Sequence, residues 1–264
     1  MTEPRRGLPR GMGVIAALAI ALLLLPLVAI VLRTPWGDLA EVLGRPVVSD
    51  ALRLSVVTAM CATVLCVVLG TPLAMFLAQA SGVRVALVRS LVLLPLVLPP
   101  VVGGVALLEA FGRRGLLGGP LDAVGIRLPF TPAAVVLAQV FVALPFFVVT
   151  VEAGLRGVEE RLAEAATAVG ASRWLVFRRI TVPLIAPSLA AGTALALARA
   201  LGEFGATVTF AGNLGGRTQT MPLAVVEALR SDPDAALALS LLLIAASLAV
   251  LVGLRGRWLS GVRS

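Results

Sequence analysis

The sequence predicts an all-α polytopic membrane protein of about six transmembrane helices, and three observations lead there. Of its 264 residues, 59% are hydrophobic and only 14% charged, where a soluble domain carries about a quarter charged residues. Mean hydropathy is +1.03. Its apolar stretches run unbroken for about 20 residues, enough to cross a hydrocarbon core of roughly 30 Å as a helix. A β-barrel would instead show short strands alternating apolar and polar residues.

The first span, about Met12 to Leu32, follows a tail (1–11) holding Arg5, Arg6 and Arg10. Its apolar core is longer than a secretory signal's and no clear A-x-A site follows, so it reads as an uncleaved anchor. The second, about Ala51 to Ala78, carries Cys61 and Cys66, which a helix turns about 140° apart, too divergent for a disulfide. Both read as small buried residues. The third, about Leu91 to Phe111, contains Pro95, Pro99 and Pro100, then Gly103 and Gly104. Prolines remove backbone donors, and such a break is tolerated at membrane depth where protein or a water-filled cavity surrounds it. It reads either as a bend in the wall of a pathway or as a packing kink. The fourth span runs from about Pro132 to Leu155 with a kink at Pro145, the fifth from Pro183 to Phe210, and the last from Asp234 to Leu254. The membrane domain is therefore 12–254, with a polar loop at 156–183 and a tail at 255–264.

All 22 basic residues are arginine, and the formal net charge is +8. The arginines flank apolar runs and form no single patch, which argues against nucleic acid and for orienting spans at a lipid bilayer. With the amino terminus inside, thirteen arginines fall in inner segments and seven in outer loops. That excess places both termini and the 156–183 loop in the cytoplasm. The absences exclude chemistry. Without lysine there is no Walker A site. Without histidine there is no Ser-His-Asp triad and no histidine metal site. No catalytic constellation is visible, so an enzyme is not expected.

Within the polar loop, Val158, Leu162, Ala165 and Val169 recur at helical spacing, with Glu159, Glu160, Arg161 and Glu164 off that stripe. Gly170 suits the helix end, where a left-handed turn is cheap without a Cβ. A second segment, Ser172 to Ile180, holds Trp174 and Phe177 beside Arg173, Arg178 and Arg179, with Ser172 as its cap and Pro183 marking entry to the next span. Periodicity alone is equally served by an amphipathic helix pair lying on the membrane.

The residues here carry a resemblance. Glu164-Ala165-Ala166, three residues, Gly170, nine residues, Ile180, one residue, Val182 and Pro183 resemble the EAA loop of ABC importer permeases, with Val182 where that family has leucine. The resemblance implies a type I importer permease fold in the bacterial cytoplasmic membrane. It makes Glu164, Ala165, Ala166, Gly170, Ile180 and Pro183 the loop that couples to a separate ATPase. The partner would use ATP and Mg, and this chain would bind no cofactor or metal. Two copies of the chain, two of the ATPase and an extracytoplasmic binding protein are the implied assembly.

In the fifth span, Arg199 and Glu203 stand one turn apart and pair on one helical face. Each charge alone costs about 2.5–3.5 kcal/mol at a helix centre on insertion scales. They read either as lining an anion path, together with Thr207, Pro99 and Pro100, or as an ion pair locking the bundle. The stretch Leu201-Gly202-Glu203-Phe204-Gly205-Ala206-Thr207 resembles oxyanion permeases, the molybdate group above all, as do Gly112-Arg113-Arg114-Gly115 and Thr220-Met221-Pro222-Leu223. Molybdate is the implied cargo, with tungstate or sulfate as alternatives, and a gradient-driven anion transporter as a different class. Glu109, Gln139 and Glu152 read either as facing a cavity or, the favoured reading, as satisfying backbone groups between helices.

Overall fold

In the computed structural model, which describes residues 10–158, 166, 168 and 170–259, the apolar stretches are helices. Among the described residues, five helices are long and apolar enough to cross a membrane, or six if one sharply bent pair is a single broken span. The helices are α1 (Arg10–Arg33), α2 (Leu39–Gly44), α3 (Pro46–Gln79), α4 (Val83–Val97), α5 (Pro100–Phe111), α6 (Gly118–Ala123) and α7 (Pro132–Arg156). Then come α8 (Arg173–Leu201), α9 (Gly205–Phe210), α10 (Met221–Ser231) and α11 (Pro233–Leu259).

The centre of the bundle is α3 against α7, with α8 packed on both. Its core is built from small residues: Ala59, Ala62, Cys66 and Ala74 on α3, Ala143 on α7, and Ala196 and Ala200 on α8, interleaved with Phe147, Val151 and Ile185. Small side chains let backbones approach closely, which is how helices gain packing energy in lipid where no hydrophobic drive separates them from acyl chains. The α1 span, with the highest hydropathy, is unburied. The two cysteines part company: Cys66 is buried and Cys61 exposed, because five residues of helix turn them to different faces.

Three expectations need correction. The third span is no kinked rod: α4 and α5 meet at 118° across Leu98 and Pro99. Pro99 and Pro100 donate no N–H, so the α-helical partners of the Pro95 and Leu96 carbonyls are lost and the ladder cannot cross the junction. The fifth span does not begin at Pro183. Arg173 to Leu201 is one helical run of 29 residues, which passes Pro183 through a π turn at Phe177–Thr181 and is interrupted at Ile185, ahead of Pro187. There the Val182 N–H donates to the Phe177 carbonyl, five residues back. The wider turn absorbs a proline that has no donor of its own. Nor does that span run on to Phe210. It ends at Leu201, with the Gly202 N–H on the Ala198 carbonyl, and a separate helix restarts at Gly205.

The outer loops also hold short helices. α10 folds its buried Met221, Pro222, Leu223 and Ala224 onto the bundle. The Met221 N–H donates to the buried Ser55 hydroxyl of α3 at 2.7 Å, which ties this loop to the core. Arg45, at the start of α3, donates to Asp232 at 2.9 Å, and Asp232 in turn accepts from the Ala235 N–H at 3.0 Å as the cap of α11.

Candidate functional site

The break between α8 and α9 brings a charged pair into the bundle. Arg199, on the last turn of α8, lies 2.8 Å from Glu203, whose side chain is 1% exposed while that of Arg199 is 27% exposed. Glu203 sits past the helix end, yet still reaches Arg199. Its other oxygen, Oε1, accepts from the Ala206 N–H at 2.8 Å, so one carboxylate holds the start of α9 and the end of α8 together. The Oε2 contact to Arg199 is short but lacks hydrogen-bond alignment, so the attraction there is between charges. Neither charge is left alone in the apolar interior, where an unpaired ion is far costlier than a paired one.

Arg199 faces a cavity of about 120 Å³ that it shares with Pro95, Pro99, Pro100, Phe141 and Phe146. At ~30 Å³ for each liquid water, that is room for roughly four waters, or for one compact anion with four oxygens. Pro99, Pro100 and Gly103 set the amino-terminal turn of α5 on this space, where the helix dipole adds partial positive charge to that of Arg199. The carboxyl end of α4 arrives at the same bend and contributes the opposite partial charge. Thr207 is fully buried on α9, and its Oγ1 has no hydrogen-bond partner. Arg199, Pro99 and Pro100 are thus gathered on one cavity, with Glu203 attached through Arg199. Thr207 lies one turn further along, outside the cavity lining.

Close approach of α5 to α9 fixes this geometry. A Cβ on Gly104 would stand 2.9 Å from the Ala206 carbonyl oxygen and 2.6 Å from Thr209 Cβ, and one on Gly205 would stand 2.7 Å from Pro100 Cβ. Two glycines therefore set how near the proline bend comes to the Glu203 turn. A second and larger cavity, about 580 Å³, lies at the far end of α5 between Glu109, Arg113, Arg114 and Phe130. This is the side that the arginine distribution assigns to the exterior.

At the opposite, arginine-rich side, Glu152 is buried at the end of α7. It accepts from Arg89 of α4 at 2.7 Å and from Arg156 at 3.1 Å. Arg89 also donates to the Leu77 carbonyl of α3 at 3.0 Å. Three helices are pinned at one carboxylate. Glu152 therefore serves arginines, and the expected backbone role is incorrect. Gln139 is buried at 1% exposure with its Oε1 unpartnered, so the favoured backbone role does not hold for it, while Glu109 is exposed at the large cavity, the other of its two readings.

Of the coupling-loop residues, Glu164 and Ala165 lie outside the described residues, as do Leu162 and Val169 of the expected stripe. Val158 packs against the central core. Ala166 is helical, and Gly170 has φ of +88°. The Ala171 N–H donates to the Ala166 carbonyl at 3.1 Å. A six-to-one bond around a left-handed glycine is the Schellman helix end, as the sequence predicts. Ser172 accepts from the Leu175 N–H at 3.3 Å and caps the start of α8. Ile180 lies inside the π turn and Pro183 just beyond it.

A family model described as the binding-protein-dependent transport system inner membrane component matches residues 70–260. The molybdenum transport system permease protein ModB of Mycobacterium tuberculosis is 48% identical over 255 residues, covering 97% of each chain. The probable sulfate transport system permease protein cysT of Marchantia polymorpha is 37% identical over 196 residues, 73% of this chain and 68% of its own. The fold is shared with a crystal structure of a bacterial ABC transporter involved in the import of the acidic polysaccharide alginate. The TM-score is 0.76 at 14% identity, over 94% of both chains. A helical bundle broken at two membrane-depth turns, the Gly170 helix end, and a family match over most of the chain converge: this protein belongs to the inner membrane components of binding-protein-dependent transport systems, the non-catalytic, multi-pass permease subunits of ABC importers.

Proposed function

We propose that this permease carries molybdate into the cytoplasm. Two copies would surround the path, two ATPase subunits would dock on the 156–183 loops, and an extracytoplasmic protein would deliver the anion. The observation that carries the cargo assignment is the 48% identity to a molybdenum permease across 97% of both chains. The cavity at Arg199 supports it, because its size and single cation suit a compact tetrahedral anion. Sulfate is the second reading, favoured by the 37% identity to a sulfate permease, and its ion has the same shape and charge.

In this reading Glu164, Ala165, Ala166 and Gly170 form the element seated on the ATPase, while Ile180 and Pro183 lie where that element joins α8. The helical run from Arg173 to Leu201 supports the role, since it connects the loop to Arg199 with a single turn residue, Ile185, along the way. The test is uptake by proteoliposomes holding permease, ATPase and binding protein with ATP inside. Molybdate accumulation blocked by tungstate, and indifferent to tenfold sulfate, is expected. Accumulation of sulfate in preference to molybdate would overturn the cargo. Molybdate uptake without ATPase would overturn the mechanism. Glu164→Lys should abolish uptake while ATP hydrolysis continues, and normal coupled uptake would refute the docking role.

A further inference from the structure

A groove of about 490 Å³ opens between α3 and the start of α8, walled by Val68, Thr71, Pro72 and Met75 on one side and Arg173, Trp174 and Phe177 on the other. Transport as described above gives it no task. Its two ends differ in chemistry. Val68, Pro72 and Met75 lie between 4 and 11 residues before the end of α3 at Gln79, a depth of about 6 to 16 Å at 1.5 Å per residue. That wall runs into the hydrocarbon layer, and Val68 is 61% exposed along it. The other end carries Trp174 and Phe177, with ring centroids 5.4 Å apart. Trp174 is 68% exposed, as an indole at a headgroup boundary is. Arg173, Arg178 and Arg179 are all exposed on the same segment.

We propose that this groove is a binding site for one anionic phospholipid of the cytoplasmic leaflet. An acyl chain lies along Val68, Pro72 and Met75 under the Trp174 ring, and the phosphate meets Arg173, with Arg178 and Arg179 one turn further on. Charge complementarity selects the occupant. A zwitterionic lipid offers the same phosphate but also an ammonium, which the arginines repel, so the site discriminates by headgroup charge. Basic residues beside a membrane surface favour anionic lipid by about fivefold each. Because the groove lies on the segment between the loop and Arg199, its occupant touches the helix that links them.

Trp174 reports on this site directly. The chain has three tryptophans, at 36, 174 and 258, so Trp36→Phe with Trp258→Phe leaves it alone. The full-length single-tryptophan permease is placed in phosphatidylcholine vesicles with increasing brominated phosphatidylglycerol or brominated phosphatidylcholine. Half-maximal quenching at no more than about one fifth as much of the anionic lipid is expected, and Arg173→Gln should narrow that preference about fivefold. If that variant fails to fold, 0.5 M salt on the parent should do the same. Equal quenching by both lipids in the parent overturns the proposal. Absence of quenching by either also overturns it, since no lipid then reaches the Trp174 ring. The readout requires no transport, so it stands or falls apart from the molybdate assignment.

Discussion

Replacing Arg199 with glutamine removes one half of an ion pair whose other half is buried. Glu203 is 1% exposed, and the Ala206 N–H would remain its partner in the described structure. Breaking a buried pair costs about 3–5 kcal/mol. Two features lower that here: the Arg199 side chain is 27% exposed, and Glu203 keeps its backbone hydrogen bond. A loss of about 2–3 kcal/mol is expected. Glu203→Gln should cost about 1–2 kcal/mol, since a neutral amide oxygen can still accept from Ala206. The double variant should recover most of the loss, because no uncompensated charge is left, giving a coupling energy of at least about 1 kcal/mol. The assay is denaturant unfolding in mixed micelles for the four proteins, followed by uptake in proteoliposomes. Strictly additive losses would refute the reading of Arg199 and Glu203 as mutual counter-ions. If the double variant is stable and transports normally, the pair is a lock on the bundle and the cavity's cation is not needed by the cargo.

Other perturbations test the surrounding frame. Glu152→Ala removes the shared acceptor of Arg89 and Arg156 and should lower stability by about 1.5–3 kcal/mol in the same assay; a change below 0.5 would mean that the three helix ends do not depend on it. Gly104→Leu should prevent α5 from reaching α9, costing about 1–3 kcal/mol or more, read as loss of the monodisperse peak in size-exclusion chromatography. Hydrogen bonds from the Arg45 guanidinium, and then from the Ala235 N–H, hold Asp232 below the usual carboxylate range. A depressed folded-state value means that the contribution is present at neutral pH and fades as pH falls through it. The gap in melting midpoint between wild type and Asp232→Asn should therefore be constant from pH 8 to about 5 and close below about 4; a gap that widens toward acid would contradict the assignment.

How much was legible in the sequence depended on the range of the interaction. The Gly170 helix end, the Ser172 cap and the existence of the spans rest on residues within a few positions of one another, and local spacing exposes them. The 118° turn at Leu98 and Pro99 was foreshadowed by the prolines, but its angle depends on α9 lying against Gly104, a contact across a hundred residues. Pro183 misled for the opposite reason. A proline signals a helix start, and the π turn that lets α8 run through it has no one-residue signature. Glu152 was misassigned because Arg89 and Leu77 come from other helices. The link between Arg199 and Glu203 was visible at i, i+4, although the helix ends between them.

The length of α8 has a mechanical consequence. Twenty-nine residues at 1.5 Å each span about 43 Å, some 13 Å more than the hydrocarbon thickness. The π turn and Pro183 lie about 12 Å from the loop end of α8. The π turn and the Ile185 turn divide α8 into a loop-side arm of roughly 12 Å from Arg173 and an inner arm of roughly 20 Å from Ala186 to Arg199. In the proposed docking, a push on the loop-side arm meets these two turns first, and the Ala186–Leu201 arm carries it on to the Glu203 turn.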